Sequence, residues 1–105
     1  MADTMQAVVN HGPRNYRLEE MPRPQAGPGQ ALVQVEAVGI CASDLKCYYG
    51  AAKFWGDEQR PPYAETEVIP GHEFVGRVVE LDEAAAERWH ISVGDRVTSE
   101  QIVPC

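Results

Sequence analysis

The chain has 105 residues, 44% hydrophobic and 24% charged, with 16 acidic side chains against 9 lysines and arginines and a formal net charge of −7. That length fits one small domain with a modest core, and the acidic balance excludes phosphate backbones and anionic lipid surfaces, so neither nucleic acid nor membrane is an expected partner. No apolar stretch approaches the roughly 20 residues that span a bilayer, and the start shows no secretory pattern; three widely spaced cysteines fit a reducing cytoplasm better than a disulfide framework.

Short alternating apolar runs separated by glycine and proline predict a mainly β fold with short helices. Residues 5–10 read as a first strand, His11-Gly12-Pro13-Arg14-Asn15 as a turn, and residues 16–20 as the returning strand of a hairpin. Residues 21–30 carry Pro22, Pro24, Gly27, Pro28 and Gly29 and read as a surface connection. The clearest strand covers residues 31–38, with Val33, Val35 and Ala37 on one face and Gln34 and Glu36 on the other. Residues 43–49 suit a short helix capped by Ser43 or Asp44 and stopped by Gly50.

Residues 51–66 show no period and read as a long loop, a feature often functional in compact domains. A strand over residues 74–81 follows, then one or two helical turns over 82–88. Ser92-Val93-Gly94-Asp95 forms a tight turn into a last strand from Arg96 to about Ser99. From Pro61 onward three arginines stand against nine acids, which a solvated surface explains. The end at Gln101-Ile102-Val103-Pro104-Cys105 carries no terminating signal and reads as an interrupted chain.

Two segments bring metal-binding residue types to strand ends. Gly39-Ile40-Cys41-Ala42-Ser43-Asp44 closes the best strand, and Pro70-Gly71-His72-Glu73 precedes the next. Zinc takes thiolate, imidazole and carboxylate ligands, and catalytic zinc sites typically use three of them with one position open. Cys41 and His72 are the candidate direct ligands, with Glu73 as a nearby carboxylate. Successive strand residues point to opposite faces, so His72 and Glu73 can share a metal only if Pro70-Gly71 bends the backbone. Asp44 suits the outer hydrogen-bond partner that a ligating histidine needs. Ser43 stands two residues beyond Cys41, where its hydroxyl could pass a proton outward from an alcohol activated by the metal. The residues alone leave alternatives open. A lone cysteine is usually a small buried hydrophobe, a His-Glu pair is usually a polar turn, and the two segments are too far apart for a local metal motif.

Three blocks narrow the choice by resemblance. Gly39-Ile40-Cys41-Ala42-Ser43-Asp44, Pro70-Gly71-His72-Glu73-Phe74-Val75-Gly76 and Val93-Gly94-Asp95-Arg96-Val97 resemble the zinc-dependent medium-chain alcohol dehydrogenase family in order and spacing. The resemblance runs from about Met5 to Cys105. It implies a GroES-like β-barrel forming the amino-terminal part of a catalytic domain, with Cys41 and His72 as catalytic zinc ligands. It further implies Glu73 as a carboxylate approaching the metal, Ser43 as the proton relay and Asp44 as the partner of the histidine.

The last catalytic ligand and the Rossmann cofactor domain are expected beyond residue 105, because no Gly-x-Gly-x-x-Gly fingerprint occurs in the chain. Cys105 matches the first of four cysteines of a structural zinc site whose other three are absent from the chain. The Cys41-Ala42-Ser43-Asp44-Leu45-Lys46-Cys47-Tyr48 run and Lys53-Phe54-Trp55-Gly56 are similar to the polyol branch, of the erythritol and threitol type. The resemblance therefore implies a parent enzyme, a homo-oligomer, that oxidises a secondary alcohol of a small polyol to a ketone with NAD or NADP. The 105 residues alone are expected to be inactive and to hold zinc weakly or not at all. The alternative is a metal-free GroES-like interaction module. A zinc-free reductase of the same superfamily is disfavoured by the presence of Cys41, His72 and Glu73. Phe54 and Trp55 are expected to pack more than to face substrate, Cys47 to lie in the core, His11 to be solvated, and His90 to be a surface or interface residue rather than a metal ligand.

Overall fold

The computed structural model describes residues 3–100, which leaves Cys105 outside the described residues. Two compact units share the chain, one made of Met1–Arg23 and Ile40–Gly71, the other of Pro24–Gly39 and His72–Cys105. Strand residues outnumber helical ones, as the alternating pattern predicts.

In the first unit, β1 (Thr4–Asn10) and β2 (Tyr16–Pro22) form the expected antiparallel hairpin. The ladder reaches two residues further than the sequence suggests, to Thr4 opposite Pro22. Proline is tolerated there because the rung is terminal. Ala7 and Val9 are buried on one face of β1, while Val8 between them is exposed, the period-two pattern of a one-sided strand. Asn10, at the strand's end, is the only polar residue buried among the described residues, at 2% exposure. Its Oδ1 accepts from the Gly12 N–H at 2.8 Å, while its own N–H donates to the Val68 carbonyl and its carbonyl accepts from Glu67. His11 is half-buried rather than solvated, because its ring meets the Glu19 carboxylate across the hairpin.

Helix α1 (Ala42–Tyr48) follows, then α2 (Ala52–Trp55) inside the stretch expected to be a structureless loop. One helical turn is too short to show a period. Its order comes from later residues: the Tyr63 and Ala64 N–H groups both donate to the Phe54 carbonyl, at 2.7 and 2.6 Å. The Trp55 Nε1–H donates to the Cys47 carbonyl at 2.7 Å, and the Phe54 ring meets Tyr63 edge-on. Both aromatics thus pack, as expected. Cys47 is half-buried rather than central, and α1 carries no fully buried residue. The Tyr16 ring stands edge-on to Tyr48 at 4.9 Å, and its enclosed hydroxyl makes no hydrogen bond of normal geometry. Burial first, then the Cys47 thiol beside it, push the Tyr16 pKa up to about 12.

In the second unit, β3 (Ala31–Gly39), β4 (Glu73–Leu81) and β5 (Arg96–Val97) form an antiparallel sheet in that order. The β3–β4 register shifts twice, between Leu32 and Val33 and between Val35 and Ala37, so that Val79 and Glu36 are left without a partner. The second bulge breaks the alternation predicted for β3: Val35 pairs with Gly76 and Ala37 with Val75, adjacent residues of β4 that point to opposite faces. Val33, Val35 and Ala37 therefore do not share one face. Gly76 lies where a Cβ would stand 2.3 Å from the Gln34 carbonyl oxygen and 2.6 Å from Val33 Cγ1. Only glycine allows that approach.

Glu36, expelled from the ladder, receives Arg96 Nε at 3.0 Å and stands 3.6 Å from Arg77 Nε. Helix α3 (Glu83–Trp89) is capped by Asp82, whose Oδ2 accepts from Ala84 at 3.2 Å and from Gly29 at 2.7 Å. It ends at His90, exposed and left-handed at φ 53°. Val78 and Ala85 are the buried apolar residues of this unit. Strand β5 is shorter than expected, because Thr98 turns its hydroxyl onto the Phe74 carbonyl.

Candidate metal centre

The last rung of the β3–β4 ladder pairs Gly39 with Glu73. Cys41 lies two residues beyond one end of that rung and His72 one residue before the other. Two segments distant in sequence therefore leave the same end of one ladder. Glu73 begins β4 with its carboxylate against Gly39, where an added Cβ would sit 3.1 Å from Oε2.

The backbone bend required ahead of His72 is present. Gly71 takes φ 120°, a conformation that residues with a side chain rarely adopt, immediately ahead of His72. Cys41 is half-buried in the first unit, and His72 and Glu73 are half-buried at the entry to β4 in the second. A thiol, an imidazole and a carboxylate are ligand types that suit a borderline-soft divalent cation, zinc before magnesium or calcium.

Cys41 is also the residue from which α1 starts, with an extended backbone at φ −93° and ψ 156°. Asp44, expected as a helix cap in its own right, is instead the third residue of the helix, and its Oδ2 accepts the Cys41 N–H at 2.9 Å. The spacing that could have exposed this is visible in the chain: an acidic residue three places after a helix cap is the capping-box pattern, with cysteine in the place usually held by serine or threonine. Ser43 is half-buried in the first turn of α1. The structure thus sets the two accessory residues on the helix that Cys41 begins, and His72 and Glu73 at the start of β4.

The family model of the alcohol dehydrogenase GroES-like domain matches residues 27–105, three quarters of the chain. The chain belongs to that family. Among curated relatives of the GroES-like alcohol dehydrogenases, it is 77% identical to an erythritol/L-threitol dehydrogenase from Mycolicibacterium smegmatis, over 98% of this chain and 28% of that protein. It is 39% identical to the (R,R)-butanediol dehydrogenase of Bacillus subtilis over 93% of this chain and 28% of the relative. The crystal structure of 2R,3R-butanediol dehydrogenase from Bacillus subtilis aligns with a TM-score of 0.69 at 34% identity, covering 87% of this chain and 26% of that one. The chain thus spans about a quarter of the length of these relatives. The mainly β, GroES-like fold and the alcohol dehydrogenase kinship expected from the three sequence blocks both hold.

Proposed function

We propose that this chain supplies the metal-binding part of a zinc-dependent, NAD(P)-linked dehydrogenase that oxidises a secondary alcohol of a small polyol to a ketone. The observation that carries the proposal is the Gly39–Glu73 rung that ends the β3–β4 ladder two residues before Cys41 and one after His72, in a chain that belongs to the alcohol dehydrogenase GroES-like family. The 77% identity to an erythritol/L-threitol dehydrogenase supports the polyol class, most directly a four-carbon tetritol.

In this proposal Cys41 and His72 hold the metal, with Glu73 near enough to join or exchange, and a further ligand comes from elsewhere in the protein. The bound zinc supplies Lewis-acid polarisation of the alcohol oxygen. Ser43 takes the hydroxyl proton and passes it outward. Asp44 is the hydrogen-bond partner that orients His72. The nicotinamide, the hydride acceptor, is held outside these 105 residues, so the chain alone is inactive.

The test is made on the full-length protein and on the 105-residue chain in parallel. Full-length protein is expected to carry zinc and to reduce NAD or NADP with erythritol or L-threitol, and Cys41→Ser and His72→Ala are each expected to lose both zinc and turnover. Unchanged zinc content in both variants would favour a non-catalytic GroES-like module. Appreciable turnover by the isolated 105 residues would overturn the division of labour proposed for the chain.

A further inference from the structure

We infer that Gly39 is a positioning residue for the Glu73 carboxylate: the side chain missing from position 39 is the space in which that carboxylate lies. The consequence for metal binding rests on the zinc role proposed for Glu73. The placement itself rests on the geometry of one ladder rung.

Gly39 is the last residue of β3 and pairs with Glu73, the first of β4. Glycine weakens a strand, so its presence on a rung calls for a reason. Backbone conformation does not supply one, because Gly39 is not among the glycines of positive φ, to which Gly71 belongs. Neighbouring main chain does not supply one either, as it does at Gly76, where an added Cβ would collide with the Gln34 carbonyl. At Gly39 the three atoms nearest to an added Cβ all belong to Glu73: Oε2 at 3.1 Å, Cβ at 3.5 Å and the carbonyl oxygen at 3.6 Å. The last two are ordinary contacts, since non-bonded carbon atoms pack best about 3.5–4.0 Å apart. Only the carboxylate oxygen stands closer. The absent side chain therefore makes room for the carboxylate and not for the strand.

A methyl group at position 39 shifts the flexible carboxylate by a few tenths of an ångström. Valine, the residue β3 carries at 33, 35 and 38, fills the space and turns the carboxylate away. The open groove beside the rung, lined by Val38, Phe74 and Thr98 together with Gly39 and Glu73, receives the displaced group, so the strands are not pushed apart. Gly39→Ala is expected to keep zinc affinity within about threefold of the parent. Gly39→Val is expected to lower it about tenfold, the lower end of the usual effect of removing support from a metal-site group. Neither change should destabilise the metal-free fold, because both replace a residue that strands disfavour.

The experiment uses full-length protein and measures zinc affinity by competition with a chromophoric chelator, alongside the thermal midpoint of the metal-free form. Gly39→Ala and Gly39→Val are each made in the parent and in a Glu73→Ala background. Valine is expected to cost about tenfold in the parent and nothing further once Glu73 is gone, because the group it displaces is then absent. An equal loss in both backgrounds would show that position 39 acts on something other than Glu73 and would overturn the inference. So would a lowered metal-free midpoint in Gly39→Ala, or an unchanged zinc affinity in Gly39→Val when Glu73→Ala weakens binding. A Glu73→Ala variant that binds zinc like the parent overturns the zinc role of Glu73 instead. Positioning is then judged on the crystal structure of Gly39→Val, where a carboxylate turned into the groove upholds it and one still lying against position 39 sinks it.

Discussion

The buried Oδ1 of Asn10 accepts the Gly12 N–H at 2.8 Å, so one side chain closes the hairpin turn from the inside. The same residue ties its main chain to Glu67 and Val68, far along the sequence. Replacing Asn10 by Ala leaves the Gly12 amide without its partner, at a cost of about 1–3 kcal/mol. Urea unfolding followed by circular dichroism should show a lower midpoint at an unchanged slope; an unchanged midpoint would mean that water replaces the bond freely.

Gly76 is the second position where stability should fall sharply. A methyl group there would overlap the Gln34 carbonyl and Val33 Cγ1. Gly76→Ala is expected to lower the thermal midpoint by an amount corresponding to about 1–3 kcal/mol, the usual range for overpacking. Neighbouring Val75→Ala, which removes volume instead, serves as the comparison.

Glu36 supplies a pH-dependent contribution whose sign follows from its partners. The Arg96 hydrogen bond, helped by Arg77, holds its carboxyl below the usual value of 4.5. A group depressed in the folded state stabilises above its unfolded pKa, and that contribution disappears as pH falls through the lower folded value. Glu36→Gln should therefore be less stable than the parent at neutral pH and indistinguishable from it in strong acid. Added salt should shrink the neutral-pH gap, because all three side chains are exposed to solvent.

Tyr16 behaves in the opposite direction. Its pKa rises from 10.0 to about 12 on folding, so its contribution is complete below pH 10 and is lost as pH climbs through the folded value. Tyr16→Phe keeps the edge-on contact with Tyr48 and removes the enclosed hydroxyl beside the Cys47 thiol. The variant is expected to match or exceed the parent's stability at neutral pH and to lose the decline between pH 10 and 12, both measurable by denaturant titration.

Trp55→Phe tests whether the segment after α1 serves packing. The change deletes the Nε1–H bond to the Cys47 carbonyl and should cost about 0.5–1.5 kcal/mol of stability. In the full-length protein kcat should hold. A large rise in KM with unchanged stability would instead make Trp55 a substrate contact.

The strands were readable because a one-sided strand writes its burial into every second residue, as Ala7, Val8 and Val9 do. The two candidate segments were readable as residue types beside the ends of two strands, and Gly71 as a positive-φ position ahead of β4. Neither bulge could be read in the same way. A bulge is a mismatch between two strands, and nothing local to Val35-Glu36-Ala37 announces that Gly76 and Val75 will pair around it. The α2 turn depends on donors supplied by Tyr63 and Ala64, and the burial of Asn10 depends on Glu67 and Val68, so both lie beyond any local window. Cys41 as a helix cap escaped notice because cysteine seldom fills that place.

The two bulges give β3 and β4 a function beyond shape. In a regular ladder, a slip of two residues restores every side chain to its own face and can pass almost unpenalised, yet it would move one strand about 7 Å along the other. A ladder marked at Glu36 and at Val79 has no such equivalent position, since any slip sets both extra residues against regular rungs. The bulges act as index pins. They make the closing rung of Gly39 with Glu73, the rung next to both metal-binding segments, depend on one alignment.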